Sequence, residues 1–205
     1  MQTCKLITNL AILFIAALLQ ACSEPPSINF VPHDGAIVAF GDSLTVGVGA
    51  SEDTNYPAIL SEISYRRVVN AGVSGEVTED GLVRLPAVLE EENPNLVILL
   101  EGGNDILRNK NQKQTKDNLA SMITLIQSKG ADVVLIGVPE KKLFSDVAPF
   151  YEELADEYNL VFIDEVLSEL LKDNEYKSDP IHLNEIGYRK LAETIHEKLI
   201  EVEAL

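Results

Sequence analysis

Three side chains in this 205-residue chain are of the types that acyl transfer needs. Ser43 offers a hydroxyl nucleophile, and His182 an imidazole able to take and return a proton near neutral pH. Asp179 offers a carboxylate to orient the imidazole, and the spacing Asp179-x-x-His182 lets it reach Nδ1 from the same loop. That would leave Nε2 facing Ser43. The developing oxyanion needs donors, and the candidates are the Ser43 backbone amide, the Gly72 backbone amide and the Asn104 side-chain amide. Each residue also has a plainer reading. Gly41-Asp42-Ser43 makes an ordinary turn or helix cap. His182 can be a solvated loop histidine, Asn104 a helix cap, and Gly72 a residue of backbone shape alone. Of the three histidines, His33 falls in a proline-rich segment and His196 on the last helix, so His182 is the one placed for chemistry. Asp42 reads as structural, bonding loop amides, and Asp105 and Arg108 read as scaffold.

The elements that must position these residues alternate between strand and helix. Ala36 to Phe40 is a short buried strand that stops at Gly41. Tyr56 to Ile63 is a helix with Pro57 in its first turn. Val68 to Ala71 is a second strand, ending in Gly72-Val73-Ser74-Gly75. Thr78 to Glu92 is a helix with Leu82, Leu85, Val88 and Leu89 at helical spacing, and Pro86 predicts a kink or two segments. Leu96 to Leu100 is the most apolar strand, followed by Glu101-Gly102-Gly103-Asn104-Asp105. Leu119, Met122, Ile123 and Ile126 mark a helix closed at Lys129-Gly130. Val133 to Val138 and Leu160 to Ile163 are the last strands, with a helix over Phe150 to Tyr158 between them. The final helix starts near Asn184 and turns Tyr188, Leu191, Ile195 and Leu199 inward. Such alternation implies one parallel sheet covered on both faces. Ligands in such sheets bind at the carboxyl edge, where the Ser43 turn lies.

The net charge of −17 excludes nucleic acid as a partner, since phosphate contacts need clustered Lys and Arg. Lys5 precedes an apolar run from Leu10 to Leu19, too short for a usual membrane span of ~20 residues. The run ends Leu19-Gln20-Ala21-Cys22, which resembles the signal of a bacterial lipoprotein, with Cys22 as the residue to be lipidated. The expected organisation is therefore a signal peptide at 1–21, a tether at 22–35 and one domain from 36 to 205. The chain would be exported and held in the bacterial cell envelope by its lipid anchor. Cleavage removes Lys5 and no acid, so the charge moves from −17 to −18. Cys22 is then the lone cysteine, which excludes an internal disulfide. One cysteine and three scattered histidines offer no metal site.

Four blocks carry a wider resemblance: Gly41-Asp42-Ser43-Leu44, Gly72 within Asn-Ala-Gly-Val-Ser-Gly, Gly102-Gly103-Asn104-Asp105, and Asp179-x-x-His182. They resemble the SGNH (GDSL) hydrolase superfamily. Gly81-Leu-Val-Arg-Leu-Pro86 is similar to its bacterial thioesterase I, lysophospholipase and arylesterase branch. The resemblance implies a three-layer α/β/α sandwich of flavodoxin-like type with a five-stranded parallel sheet, and no metal or cofactor. It implies a Ser43–His182–Asp179 triad with Ser43, Gly72 and Asn104 as the oxyanion hole. The substrate would be a small acyl ester, lipid esters included. Pro180 stands where relatives often have Gly, and Leu183 where Pro commonly follows the histidine. Pro180 holds Asp179 extended, so the loop geometry should survive. Leu107, Leu143 and Phe144 are candidates for an acyl wall or for core. Three further readings stand beside the esterase: an esterase removing acetyl groups from glycans, a phosphate- or flavin-binding module, and a lipoprotein with a vestigial site.

Overall fold

The computed structural model describes residues 25–140 and 146–205. Its sheet has five strands in the order β2-β1-β3-β4-β5, all pairs parallel. They are β1 Ala36–Gly41, β2 Arg67–Gly72, β3 Leu96–Leu100, β4 Asp132–Ile136 and β5 Val161–Ile163. The most apolar runs, AIVAFG and LVILL, form the inner strands β1 and β3, and every residue in both is buried. A strand covered on both faces needs no polar side, which is why these segments show no alternation. At the edge, β2 leaves Arg67 and Asn70 exposed.

The helices are α1 Ser43–Val46, α2 Tyr56–Ser64, α3 Thr78–Glu92, α4 Gly103–Leu107, α5 Gln112–Ser128, α6 Phe150–Tyr158, α7 Val166–Lys172 and α8 Glu185–Glu201. α2, α7 and α8 pack together, as do α3, α5 and α6, giving the two outer layers. Asn55 caps α2 by accepting from the Ala58 amide at 2.9 Å, with Pro57 in the first turn. Asn184 caps α8 through the Gly187 amide at 2.9 Å. The α8 side chains Tyr188, Leu191, Ile195 and Leu199 are fully buried, as their spacing requires. α3 runs through Pro86 as one helix, so the expected second segment does not form.

The order places the point where strand order reverses between β1 and β3, each followed by a loop at the carboxyl edge. Gly41 pairs with both Gly72 and Leu100, so three strand ends finish level. A Cβ at Gly41 would run into the Leu100 carbonyl oxygen and Thr45 Oγ1, so the turn into α1 needs glycine there.

The segment expected to be a tether joins the domain before residue 36. Ile28 and Val31 are buried in the core, and the Val31 amide donates to the Ala204 carbonyl at 2.8 Å. Two isolated apolar residues among prolines carry no period, so sequence pattern did not assign them to the fold. The signal segment, Cys22, Leu143 and Phe144 lie outside the described residues.

Candidate active site

α1 begins at Ser43, directly after β1. Asp42 is its cap: Oδ1 accepts from the Leu44 amide at 3.0 Å. A one-turn helix opened by a capped serine sets the Ser43 side chain, half-buried, on the carboxyl edge. His182 comes from the loop before α8, and its Nε2 lies 3.0 Å from Ser43 Oγ. On the other side of the ring, Nδ1 lies 2.7 Å from Asp179 Oδ2. Asp179 Oδ1 accepts from the Ile181 and His182 amides, both at 2.9 Å. These bonds lock the loop that Pro180 stiffens. Partial burial pushes the Asp179 pKa up, but the His182 ring, the two amides and the ring's charge outweigh it. The net effect holds the carboxylate below its usual range.

Asn104 sits in the first turn of α4, behind β3, and its Nδ2 donates to Asp42 Oδ2 at 3.0 Å. Asp42 therefore uses one oxygen on the serine turn and the other on Asn104, across 62 residues of sequence. Burial raises the Asp42 pKa to about 6, against the lowering effects of the Leu44 amide, the His182 charge and the Asn104 amide. The sequence marked Asp42 as a bonder of loop amides but gave no sign of its grip on Asn104.

Gly72 does not offer a free donor, contrary to the expectation from sequence. It is the last residue of β2, paired with Gly41, and its amide donates to the side-chain oxygen of Asn70 at 3.0 Å. A Cβ there would collide with the Val46 amide nitrogen and come within 2.8 Å of the Thr45 carbonyl carbon. Gly72 is thus a close-packing position, and its N–H is already used. Further along the loop, the Gly75 amide has no acceptor among the described residues, and the Gly75 carbonyl accepts from Arg108 Nη2 at 2.9 Å.

Three more acids lie beneath these loops. Asp105 accepts from the Thr78 amide and hydroxyl, both at 2.8 Å, and so ties the start of α3 to α4. Glu76 holds Arg84 through two bonds of 2.9 and 2.6 Å, while Arg84 also donates to the Ala71 carbonyl at 3.0 Å. Glu101 is wholly buried, and neither carboxylate oxygen has a hydrogen-bond partner among the described residues. Burial, then the nearby Asp42 and Glu76 charges, push its pKa well up. The Gly102 amide offsets part of that without a well-formed bond to either oxygen. A charged residue closing the run Leu-Val-Ile-Leu-Leu was the available sequence signal for it.

A cavity of about 870 Å³ opens over Ser43 and Asn104. Ile106, Leu107, Val138, Leu171 and Ile181 give it apolar walls, with Lys172 and Lys177 among its other lining residues. No group of three or more His, Cys, Asp or Glu side chains among the described residues is arranged to hold a metal ion.

A serine, imidazole and carboxylate stand in hydrogen-bonding series at the switch point of a flavodoxin-like sheet, an arrangement able to activate a hydroxyl for acyl transfer. The chain belongs to the GDSL-like Lipase/Acylhydrolase family, whose pattern matches residues 39–190. It is 30% identical over 176 residues to the arylesterase of Vibrio mimicus, covering 80% of this chain and 88% of that one. To the thioesterase 1/protease 1/lysophospholipase L1 of Escherichia coli it is 31% identical over 156 residues, covering 72% and 75%. To the esterase TesA of Pseudomonas aeruginosa it is 40% identical over 129 residues, which span 60% of this chain but only 64% of that relative. A crystal structure of TesA superposes with a TM-score of 0.70 at 29% identity, over 82% of this chain and 99% of the other. The SGNH-hydrolase family esterase AlinE4 gives 0.65 at 27% identity, over 82% and 96%.

Proposed function

We propose that this chain is a serine esterase that hydrolyses acyl esters through Ser43, His182 and Asp179. The observation that carries this is the unbroken series Ser43 Oγ to His182 Nε2 at 3.0 Å and His182 Nδ1 to Asp179 Oδ2 at 2.7 Å, with Ser43 and Asp179 lining a cavity that has apolar walls. Asp179 accepts the Nδ1 proton, which leaves Nε2 as the acceptor for the serine proton. Ser43 Oγ then attacks the carbonyl carbon, and the carbonyl oxygen becomes the oxyanion. The Ser43 amide, at the first position of α1, has no helical partner and is free to donate to it. Asn104 Nδ2 carries two hydrogens: one goes to Asp42, and the other is left for the oxyanion. Gly75 takes the third place in this reading, because Gly72 is occupied. His182 returns its proton to the leaving oxygen or sulfur, and water, activated by the same ring, releases the acid from Ser43.

The apolar walls suit the acyl group. Aryl esters, lysophospholipids and thioesters, the substrates in the relatives' names, are the classes to test. A polyanionic acyl-CoA is disfavoured by a chain of net charge −17. Ser43→Ala should lower hydrolysis of a chromogenic ester at least ~10³-fold, and an organophosphonate should label wild type at Ser43 only. Turnover retained in Ser43→Ala would sink the assignment.

The location follows a separate line of support, the lipoprotein-like Leu19-Gln20-Ala21-Cys22. In this reading the chain is exported and carries acyl groups on Cys22. Palmitate incorporation into wild type and its loss in Cys22→Ala is the test, and a mature chain beginning elsewhere would refute it.

A further inference from the structure

The strap Ile28–His33 is stitched to the edge of the sheet opposite the catalytic residues. Val31 binds Ala204, beyond the end of α8, and Asn29 binds Asp132 at the start of β4 through its amide at 2.7 Å and its side chain at 3.0 Å. Arg66, just before β2 and buried, donates to the Val31 carbonyl at 2.9 Å and has His33 Nδ1 at 2.8 Å. Every one of these contacts is at the amino ends of strands or the carboxyl end of α8. Ser43, Asn104 and His182 all lie at the other end. The six residues of β1 separate the two edges by ~20 Å at ~3.3 Å each.

The same edge holds the exposed aromatic side chains of the described residues, Phe30 at 59% and Tyr65 at 82%. The Arg66 guanidinium lies over the Phe30 ring, 5.6 Å from its centroid. An exposed tyrosine suits the boundary between water and lipid, where an amphipathic ring is half-solvated. The protein as a whole is strongly acidic and so is not drawn to an anionic bilayer by its net charge.

We propose that this strapped edge, with Phe30 and Tyr65, is the face held against the membrane, and that the catalytic cavity opens away from it into the aqueous phase. The inference rests on the acylated Cys22 proposed above. Six residue steps separate Cys22 from the first buried strap residue, Ile28, a reach of at most ~20 Å. A domain of this size is roughly 40 Å across. The tether is therefore too short to pass round the flank and present the opposite edge to the bilayer. The anchored enzyme takes its ester from solution or from another particle, not from the leaflet that holds it.

The chain contains no tryptophan, so Tyr65→Trp and Ile186→Trp each add one fluorophore. The first reports the strapped edge, and the second an exposed site at the start of α8, beside the catalytic loop. The acylated full chain is placed in phosphatidylcholine vesicles containing dibrominated phosphatidylcholine. Fluorescence of Tyr65→Trp should be quenched by about half or more, and that of Ile186→Trp by less than about a tenth. Phe30→Trp replaces Tyr65→Trp if the latter does not fold. Equal quenching, or stronger quenching at 186, overturns the proposal, as does a purified chain with no acyl group on Cys22. These readouts need no turnover, so they stand whether or not the esterase assignment does. In a second arm, a lysophospholipid in the anchoring vesicles should be cleaved no more than about twofold faster by the acylated chain than by soluble Cys22→Ala. A tenfold acceleration overturns the orientation.

Discussion

Glu101→Met should stabilise this protein, the opposite of the usual result for a core substitution. The wild-type carboxyl is wholly buried with both oxygens lacking hydrogen bonds, and Asp42, Glu76 and Asp105 add negative charge near it. Each unmade bond at a buried polar atom costs ~1–3 kcal/mol, so a thioether side chain of similar length should add about 2 kcal/mol at pH 7. For a domain of this size that raises Tm by about 4–8 °C. Glu101→Gln separates charge from polarity, because it keeps polar atoms and cannot ionise. The folded pKa of Glu101 lies well above the ordinary 4.5. Above that ordinary value the unfolded chain has lost the proton and the folded chain keeps it. The stabilisation from Glu101 is thus complete below pH 4.5 and is lost as pH rises toward the folded pKa. In that window wild type should lose up to ~1.4 kcal/mol per pH unit relative to Glu101→Gln. Asp42 titrates in both proteins and largely cancels in the difference. Urea unfolding of wild type and both variants at half-unit steps from pH 5 to 9 measures it. Parallel stability curves for wild type and Glu101→Gln, or a Glu101→Met protein less stable than wild type at pH 7, would refute the reasoning.

Other outcomes follow from the same site. Asn104→Ala should lower kcat by about 10²–10³ with KM little changed, as expected for one oxyanion donor, and steady-state kinetics on a soluble ester read it. Asp179→Asn should lower kcat by ~10³–10⁴, because the amide favours the wrong imidazole tautomer; a loss below tenfold would remove Asp179 from the series. Asp42 has a folded pKa of about 6 against an ordinary 3.8, so its stabilising contribution is present below pH 3.8 and gone above pH 6. Asp42→Asn should therefore unfold with a smaller loss of stability between pH 4 and 6, the difference approaching ~3 kcal/mol, while kcat falls because the new amide opposes Asn104. Gly72→Ala should cost about 1–3 kcal/mol by overpacking against α1, seen as a lower urea midpoint.

How far the sequence could be read depended on whether local pattern or distant packing decided each residue. β1 and β3 were legible because strands buried on both faces must be apolar throughout, and α8 because its four buried side chains recur at helical spacing. Ser43, Asn104 and His182 were legible as polar residues at strand ends or before the last helix. That the Gly72 amide is already engaged was not legible, because strand length is not readable to one residue. β2 runs one residue beyond Ala71, which draws Gly72 into the ladder, and the Asn70 side chain folds back onto its amide. The strap was missed because Val31 is ordered by Arg66 and Ala204, and Asn29 by Asp132, all far away in sequence.

The buried acids show the same limit and suggest why the loops hold their shape. Asp42 ties the serine turn to Asn104, Asp105 ties α4 to the start of α3, and Glu76 fixes Arg84, which in turn holds the Ala71 carbonyl near the end of β2. The first two ties join segments that follow different strands, and the third pins α3 and its loop back to the end of β2. A carboxylate suits this role because it accepts from two separate donors at once. Buried charge is costly alone, so each of these acids is tolerated only while its donors stay in place. Any movement that released Asn104 would leave Asp42 Oδ2 without its donor at 4% exposure, with only the Leu44 amide left on the carboxylate. In the proposed reaction Asn104 would be the oxyanion donor, and the bond to Asp42 means that disorder in it costs the fold.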